Sequence, residues 1–283
     1  MGLPVRTPSA RPAWAPAPPE TPIRVGQLEV RLAQSGVEVA AAQALRYRIF
    51  YDEMGAQPTR AMLASRRDID AHDNVCDHLL VIDHDAGVRG QVVGTYRLLR
   101  QSVAQAHGGF YSAGEYDLTP LLAQAPASGQ LLELGRSCVA PAYRNTTTIS
   151  LLWRGIASYL QAHRIGHLFG CASLHGTDPD AHAAELSYLY HHHLAPPELR
   201  ARTLPEHFVE MDRLPAERID ARATARTLPP LLKGYLRVGA MVGDGAFIDR
   251  QFNTVDVFVV MPVAQITRRY AGRFDLGADT TAA

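Results

Sequence analysis

Apolar residues recur along the chain with two periods, and the switching between them predicts an α/β fold. Leu28, Val30 and Leu32 alternate with polar residues, the period of a half-buried strand. Over residues 37–54 the apolar positions Val37, Ala41, Ala44, Leu45 and Ile49 take helical spacing. Residues 79–82 and 92–99 are apolar runs on either side of Asp85-Ala86-Gly87 and Gly90, the pattern of a β-hairpin. Residues 131–139 read as a strand that carries Glu133 and Arg136 and ends at Pro141. Next, Ile149, Leu152, Trp153, Ile156, Ala157 and Leu160 mark one face of a helix that starts near residues 146–148, with a threonine hydroxyl placed to cap it. Residues 168–174 read as a buried strand and 180–192 as a helix ended by Pro196-Pro197. Pro229-Pro230 opens a further structured part, 255–261 is the last clear strand, and 264–270 a short final helix. Strands and helices alternate and one pair is a hairpin, so the sheet is expected to be mixed.

Where the periods fail, composition marks the joints. Residues 1–25 are rich in Pro, Ala and Arg and are expected to form a disordered leader, with a disordered tail at 276–283. The leader has no apolar h-region, so it does not read as a secretory signal. Residues 55–74 read as a long polar loop, and 198–227 as an Arg/Glu/Pro-rich surface excursion. The expected division is a core at 26–195 and a C-terminal α/β extension at 196–275 packed on it.

Charge and cysteine content narrow the class. With 28 basic and 28 acidic residues the chain has no global basic field, so no nucleic-acid partner is expected; Lys233 is the only lysine. No apolar run approaches the roughly 18 residues of a membrane span. Cys76, Cys138 and Cys171 are scattered without metal-ligand spacing and read as core residues of a reducing compartment, so the expected location is cytoplasmic. Residues 228–241 combine Leu231, Leu232, Tyr235, Leu236 and Val238 with Lys233 and Arg237, as in a helix at a headgroup interface or a core helix.

The candidate chemistry gathers around residues 131–148. Strand alternation puts Glu133 and Arg136 on opposite faces, and a bulge at Gly135 would bring them to one. The pair then serves as proton acceptor and anion holder, or as an ion pair at a sheet rim. A strand running straight into a helix N-terminus presents N–H groups and a dipole that attract phosphate. Asp70 and Asp73, near Asp77, suit a divalent metal, a cationic substrate or solvent; the calcium-loop glycine is absent. Arg97, inside an apolar strand, needs a carboxylate partner or an anionic ligand. Arg46 and Phe50 stand one helical turn apart. His191-His192-His193 point in different directions, and no metal is expected. No Gly-x-Ser-x-Gly elbow occurs and Cys138 has no evident His partner, so covalent nucleophile chemistry has little support.

Arg46-x-x-x-Phe50, Asp70-x-x-Asp73, Arg97 and Glu133-x-x-Arg136 resemble the pattern of acyl-homoserine-lactone synthases, GNAT-type acyltransferases that use acyl carrier protein. A sister family, the L-ornithine Nα-acyltransferases of ornithine-lipid synthesis, is the nearer resemblance. It rests on Cys76-Asp77-His78-Leu79-Leu80-Val81, Gly135-Arg136-Ser137-Cys138-Val139, Leu151-Leu152-Trp153-Arg154-Gly155-Ile156 and Gly176-Thr177-Asp178-Pro179. C-terminal blocks at 228–237, 243–246 and 252–256 agree. The resemblance implies a GNAT-like mixed, splayed sheet flanked by helices. It implies transfer of a 3-hydroxy fatty acyl group from acyl carrier protein to the α-amine of L-ornithine, with no tightly bound cofactor and with peripheral contact to the inner membrane. Glu133 would act as base beside Arg136. Asp70 and Asp73 would hold ammonium groups, and Arg97 or Arg136 a carboxylate, with Arg46 and Phe50 completing the acceptor site. Ser137, Val139, Arg144, Asn145, Thr146, Thr147 and Thr148 would hold the phosphopantetheine arm. The glycines of the usual pyrophosphate loop are missing from Arg144–Thr148, which favours a carrier-bound single phosphate over coenzyme A. The competing readings are a lactone-type signal synthase using S-adenosylmethionine, and a non-catalytic acyl-carrier or membrane-binding protein.

Overall fold

Ten strands make the frame of the computed structural model, which describes residues 22–87 and 90–270. They are β1 (Ile23–Val25), β2 (Leu28–Leu32), β3 (Asp77–Asp83), β4 (Gln91–Arg100), β5 (Tyr116–Asp117), β6 (Gln130–Val139), β7 (Ile165–His175), β8 (Arg202–Thr203), β9 (Met241–Asp249) and β10 (Thr254–Pro262). Their order across the sheet is β1-β2-β3-β4-β6-β7-β10-β9-β8-β5, mixed as expected. The described helices are α1 (Gly36–Tyr47), α2 (Arg60–Ser65), α3 (Gln101–Ala106), α4 (Thr119–Ser128), α5 (Thr146–Ala162), α6 (Ala183–His193), α7 (Ala221–Thr227), α8 (Pro230–Arg237) and α9 (Val263–Tyr270).

Several sequence expectations change. Most of the expected leader and the expected tail lie outside the described residues, but residues 23–25 of that leader form β1, antiparallel to β2. The helix expected over 37–54 is α1 followed by a wider π-helical turn, Arg48–Glu53, in which Met54 N–H reaches the Ile49 carbonyl at 3.0 Å. Such turns cluster at functional sites because they displace side chains from the regular helical rows. The loop at 55–74 contains α2 and a 3₁₀ turn, Ala71–Asn74, that Asp70 and Asp73 close as a capping box. The excursion at 198–227 contains β8 and α7 and buries Ala201 and Met211 completely. Strand β9 escaped the periodicity because Gly243 and Gly245 interrupt it; a Cβ at Gly243 would run into the Ala201 carbonyl. Residues expected as an extension thus supply β9 and β10, and β10 pairs with β7 from Thr254–His175 to Pro262–His167.

One break in this sheet positions the site. β6 and β7 run parallel only from Gln130–Ile165 to Glu133–Phe169. Beyond that pair β6 stays with β4 while β7 stays with β10, and a gap opens between them. Gly170 lies so close to the Leu134 carbonyl that any Cβ would collide with it. The face of α5 against the sheet is Leu151, Leu152, Gly155, Ile156 and Tyr159. Gly155 allows that approach, since a Cβ there would stand 2.8 Å from the Val30 Cγ2. Ile149 (43 % exposed) and Trp153, the other half of the predicted apolar face, turn toward the gap instead.

Candidate active site

The gap encloses a cavity of about 670 Å³, within the usual range of small-molecule sites. Its walls divide by chemistry. Ile49, Phe50 and Met54 of the π-helical turn, Ile149 and Trp153 of α5, and Pro229, Leu231, Leu232 and Tyr235 around α8 make an apolar side. Arg97, Glu133, Arg136, Asp249, Asp256 and the hydroxyls of Ser112, Ser173 and Thr254 make a polar one. Leu232, Tyr235 and Val238 are buried, and Tyr235 Oη meets Tyr96 Oη at 3.1 Å, so the segment considered for a headgroup interface is a cavity wall.

Arg136 reaches the polar side through a distortion of β6. The β4–β6 register slips between Thr95–Cys138 and Arg97–Gly135, so β6 carries an extra residue there. The bulge expected at Gly135 falls at Arg136, whose φ of 51° is left-handed. That conformation costs a non-glycine residue roughly 1 kcal/mol or more. The guanidinium it presents lies over the Tyr111 and Phe252 rings, 4.9 and 4.5 Å from their centroids.

Behind it runs a closed ionic network. Arg46 Nε donates to Asp68 Oδ2 (2.7 Å) and Arg46 Nη2 to both oxygens of Asp73 (2.9 and 2.8 Å). Arg97 Nη1 donates to both oxygens of Asp70 at 2.6 Å, and Arg136 Nη2 to Asp70 Oδ2 at 3.1 Å. Arg136 Nε lies 3.3 Å from Asp68 Oδ2. Three guanidinium groups therefore meet three carboxylates. Burial raises the Asp73 and Asp70 pKa values, yet Arg46 and Arg97 beside Asp73, and Arg97 and Arg136 beside Asp70, outweigh it and hold both below the usual range. Asp70 and Asp73 were expected to hold substrate ammonium groups; their charge is already neutralised, and neither they nor Arg46 line the cavity. Asp68 was missed because nothing in a polar stretch distinguishes a buried aspartate from a solvated one.

Glu133 is held differently. Its Oε1 accepts from Ser112 N (2.8 Å) and from the Ser112 hydroxyl, and its Oε2 from Tyr111 N (2.8 Å). These donors occupy three of about four acceptor positions of a carboxylate. One acceptor position on Oε2 is left, and Glu133 lines the cavity.

At the other rim α5 begins. Its cap is the Asn145 carboxamide, whose Oδ1 accepts from Thr148 N at 3.0 Å, in place of the hydroxyl expected. Arg144 donates Nε to the Val139 carbonyl (3.0 Å) and grips Glu53 with Nη1 and Nη2 (2.6 and 2.8 Å). Ser137, Val139 and Arg144 line the cavity; Thr146 and Thr147 are exposed beside them and Thr148 is buried. Burial pushes the Cys76 and Cys138 thiols up to about 12, and that of Cys171 well above its ordinary value, so none offers a thiolate. His191 Nε2 lies 3.0 Å from Asp212 Oδ1, and His193 Nε2 lies 3.1 Å from the Tyr188 hydroxyl. The sequence reading also passed over Asp249, on a strand it did not find, and Asp256, on a strand read for packing alone.

A mixed sheet that splits between two parallel strands, with a cavity in the split and a helix N-terminus at its rim, defines a GNAT-type acyltransferase. The family model described as acetyltransferase (GNAT) domain matches residues 45–154. The chain is 49 % identical over 249 residues to the L-ornithine Nα-acyltransferase of Agrobacterium fabrum, covering 87 % of this chain and 85 % of that one. It is 47 % identical over 258 residues to the enzyme of the same name from Brucella abortus, covering 90 % and 92 %. This chain belongs to the L-ornithine Nα-acyltransferase family. Among solved structures, an N-acyl amino acid synthase from uncultured soil microbes is 12 % identical, with a TM-score of 0.48 over 88 % of this chain and 96 % of that one.

Proposed function

We propose that this acyltransferase moves a 3-hydroxy fatty acyl group from acyl carrier protein to the α-amine of L-ornithine, giving lyso-ornithine lipid as the first step of ornithine-lipid synthesis. The observation that carries this reading is the divided cavity: an apolar half that suits a fatty chain meets a half lined by carboxylates and Arg136 that suits a zwitterionic amine. The names of the relatives support the acceptor.

The chemistry follows from the placement. An ammonium cannot attack a thioester, so the α-amine first gives a proton to the open position on Glu133 Oε2, directly or through water. Nitrogen then bonds to the thioester carbon, and the oxyanion is met by backbone N–H groups of β6 near Ser137–Val139, where β7 has left the strand edge. Collapse breaks the C–S bond. Of the two protons lost by nitrogen, one ends on the pantetheine sulfur and the other passes to solvent. Arg136 receives the acceptor carboxylate, and Arg97 with the Asp68, Asp70 and Asp73 carboxylates holds Arg136 in place. The donor phosphate is assigned to the Arg144–Thr148 rim, and the half-exposed Ile149 and Leu231 give the one-chain product an apolar path toward the inner membrane.

The test compares one acyl chain on acyl carrier protein and on coenzyme A, with L-ornithine or S-adenosylmethionine as acceptor and products read by mass spectrometry. The expected result is Nα-acylornithine, with the carrier-protein donor preferred at least about tenfold in kcat/KM. Equal use of both donors would remove the carrier-protein assignment, and product from S-adenosylmethionine alone would replace the acceptor.

A further inference from the structure

The charges lining the polar half do not balance, and the excess lies on strands the reaction scheme leaves unused. Arg136, the cation nearest this wall, already has Asp68 and Asp70 as counter-ions. Opposite it stand Asp256 on β10, Asp249 at the end of β9 and, just behind, Glu115; no Arg or Lys ion pair joins any of them among the described residues. Glu115 accepts from the Cys171 thiol at 3.4 Å, and Asp249 Oδ1 from Phe252 N at 2.9 Å. Asp256 is 7 % exposed; the Ser173 and Thr254 hydroxyls lie close enough to act on its carboxyl, yet its Oδ1 makes no hydrogen bond of ordinary geometry and no cation reaches it. The Thr254 hydroxyl, 1 % exposed on the same face of β10, likewise closes no bond of ordinary geometry.

An orphaned carboxylate oxygen at this depth is expensive to keep unless something arrives to pair with it. The surroundings agree on the sign of the arrival. Burial pushes Asp256 up to about 6 despite the adjacent Ser173 and Thr254 hydroxyls, with Asp249 adding to the rise. Burial, followed by Asp256, pushes Glu115 up to about 8. A cation entering this corner would relieve both. Register places Asp256 opposite Ser173 on β7, on the face that also carries Cys171, and Glu133, Glu115 and Asp256 all act on the Cys171 thiol between them.

We infer that Asp256 is the specificity-determining residue for a dibasic acceptor, binding the side-chain ammonium while the α-amine is presented to Glu133. Thr254 and Ser173 supply hydroxyls beside that ammonium, and Asp249 supplies the field that draws it in. The assignment rests on the acceptor reading above and deepens it. It also gives β9 and β10 a chemical role: they carry the acid that recognises the far end of the substrate.

The test uses the full chain with L-ornithine and L-norvaline, which share a carbon skeleton and differ in the side-chain amine. For Asp256→Asn the ornithine-to-norvaline ratio of kcat/KM should fall about 10²-fold, the loss appearing mainly in the KM for ornithine. Its Tm should equal or exceed that of the unaltered protein, because an unpaired buried charge is removed. A ratio within threefold of the original overturns the assignment. Calorimetry with 1,4-diaminobutane and 1-aminobutane on the unaltered protein needs neither turnover nor a variant. If ornithine is never acylated, the acceptor reading fails; preferential binding of the diamine, lost in Asp256→Asn, would still support the ammonium site. No preference for the diamine sinks the site itself.

Discussion

Replacing Glu133 by Gln separates the two duties the structure gives this side chain. The carboxylate accepts from Ser112 N and the Ser112 hydroxyl on one oxygen and from Tyr111 N on the other. A carboxamide has one acceptor oxygen. Its better orientation keeps the Ser112 bonds and points NH₂ at the Tyr111 N–H, leaving that donor unsatisfied. The cost is about 1–3 kcal/mol. At about 2–4 °C per kcal/mol for a chain of this size, thermal denaturation should show a drop of a few degrees. Domains hold about 5–15 kcal/mol, so the variant stays folded at 25 °C and its turnover can be read directly. Without a proton acceptor at Oε2, kcat for ornithine acylation should fall about 10²–10⁴-fold. The two readouts can fail separately. Turnover within threefold of the original would take the base role from Glu133, and an unchanged Tm would refute the three-donor geometry.

Other expectations follow from burial and charge. Arg46→Met leaves Asp68 and Asp73 with neutral donors and only the longer ionic contacts to Arg136 and Arg97, and should destabilise the fold by about 3–5 kcal/mol in denaturant titration; a loss under 1 kcal/mol would mean the network contributes little. The Glu115 carboxyl, raised by burial from 4.5 to about 8, favours the protonated folded state. Its contribution is full below pH 4.5 and is lost as pH rises through 8. Tm should therefore decline across that window, by up to a few kcal/mol in stability at about 1.4 kcal/mol per pH unit, and Glu115→Gln should flatten the decline; a profile unaltered in Glu115→Gln excludes the effect. Contact with the inner membrane through Ile149 and Leu231 predicts co-sedimentation with anionic liposomes that Leu231→Asp reduces, and equal recovery in the supernatant for both proteins would remove it.

Legibility from the sequence followed the physics of each signal. Alternation located β2, and continuous apolar runs located β3, β4, β6, β7 and β10, because a strand buried on one or both faces must show its apolar residues. β9 was hidden by the glycines that let it approach Ala201 and turn beside Phe208. Residues 48–53 looked like the continuation of a helix, since one extra residue in a turn barely disturbs apolar spacing. At the site, Glu133 and Arg136 could be read because a charged pair inside an apolar strand is conspicuous. Asp70 and Asp73 could be picked out but not assigned, since an acidic residue that binds a guanidinium and one that binds a substrate ammonium look alike in one dimension. Asp256 was concealed by its neighbours: in Val255-Asp256-Val257 the alternation that makes a good strand also supplies a polar position that would ordinarily face solvent. Only the order β6-β7-β10 turns that position inward.

The same split in the sheet accounts for both halves of the cavity. Parallel strands β6 and β7 share register for four residues at their start, and Gly170 is where they part. On the α5 side of the gap, Ile149 and Trp153 lose the sheet surface that a continuous strand pair would have offered, and face the cavity beside α8. On the other side, Glu133 stands at the last β6–β7 pair and Asp256 on β10 beyond it; both line the gap, and Asp256 Oδ1 is left without a hydrogen bond. A chain that only needed to fold would fill such a gap, since voids and orphaned carboxylates each cost stability. Here apolar and acidic costs stand on opposite walls of one cavity, with a closed three-by-three ionic network fixing Arg136 between them. That arrangement suits a reaction joining a fatty chain to a cationic amine.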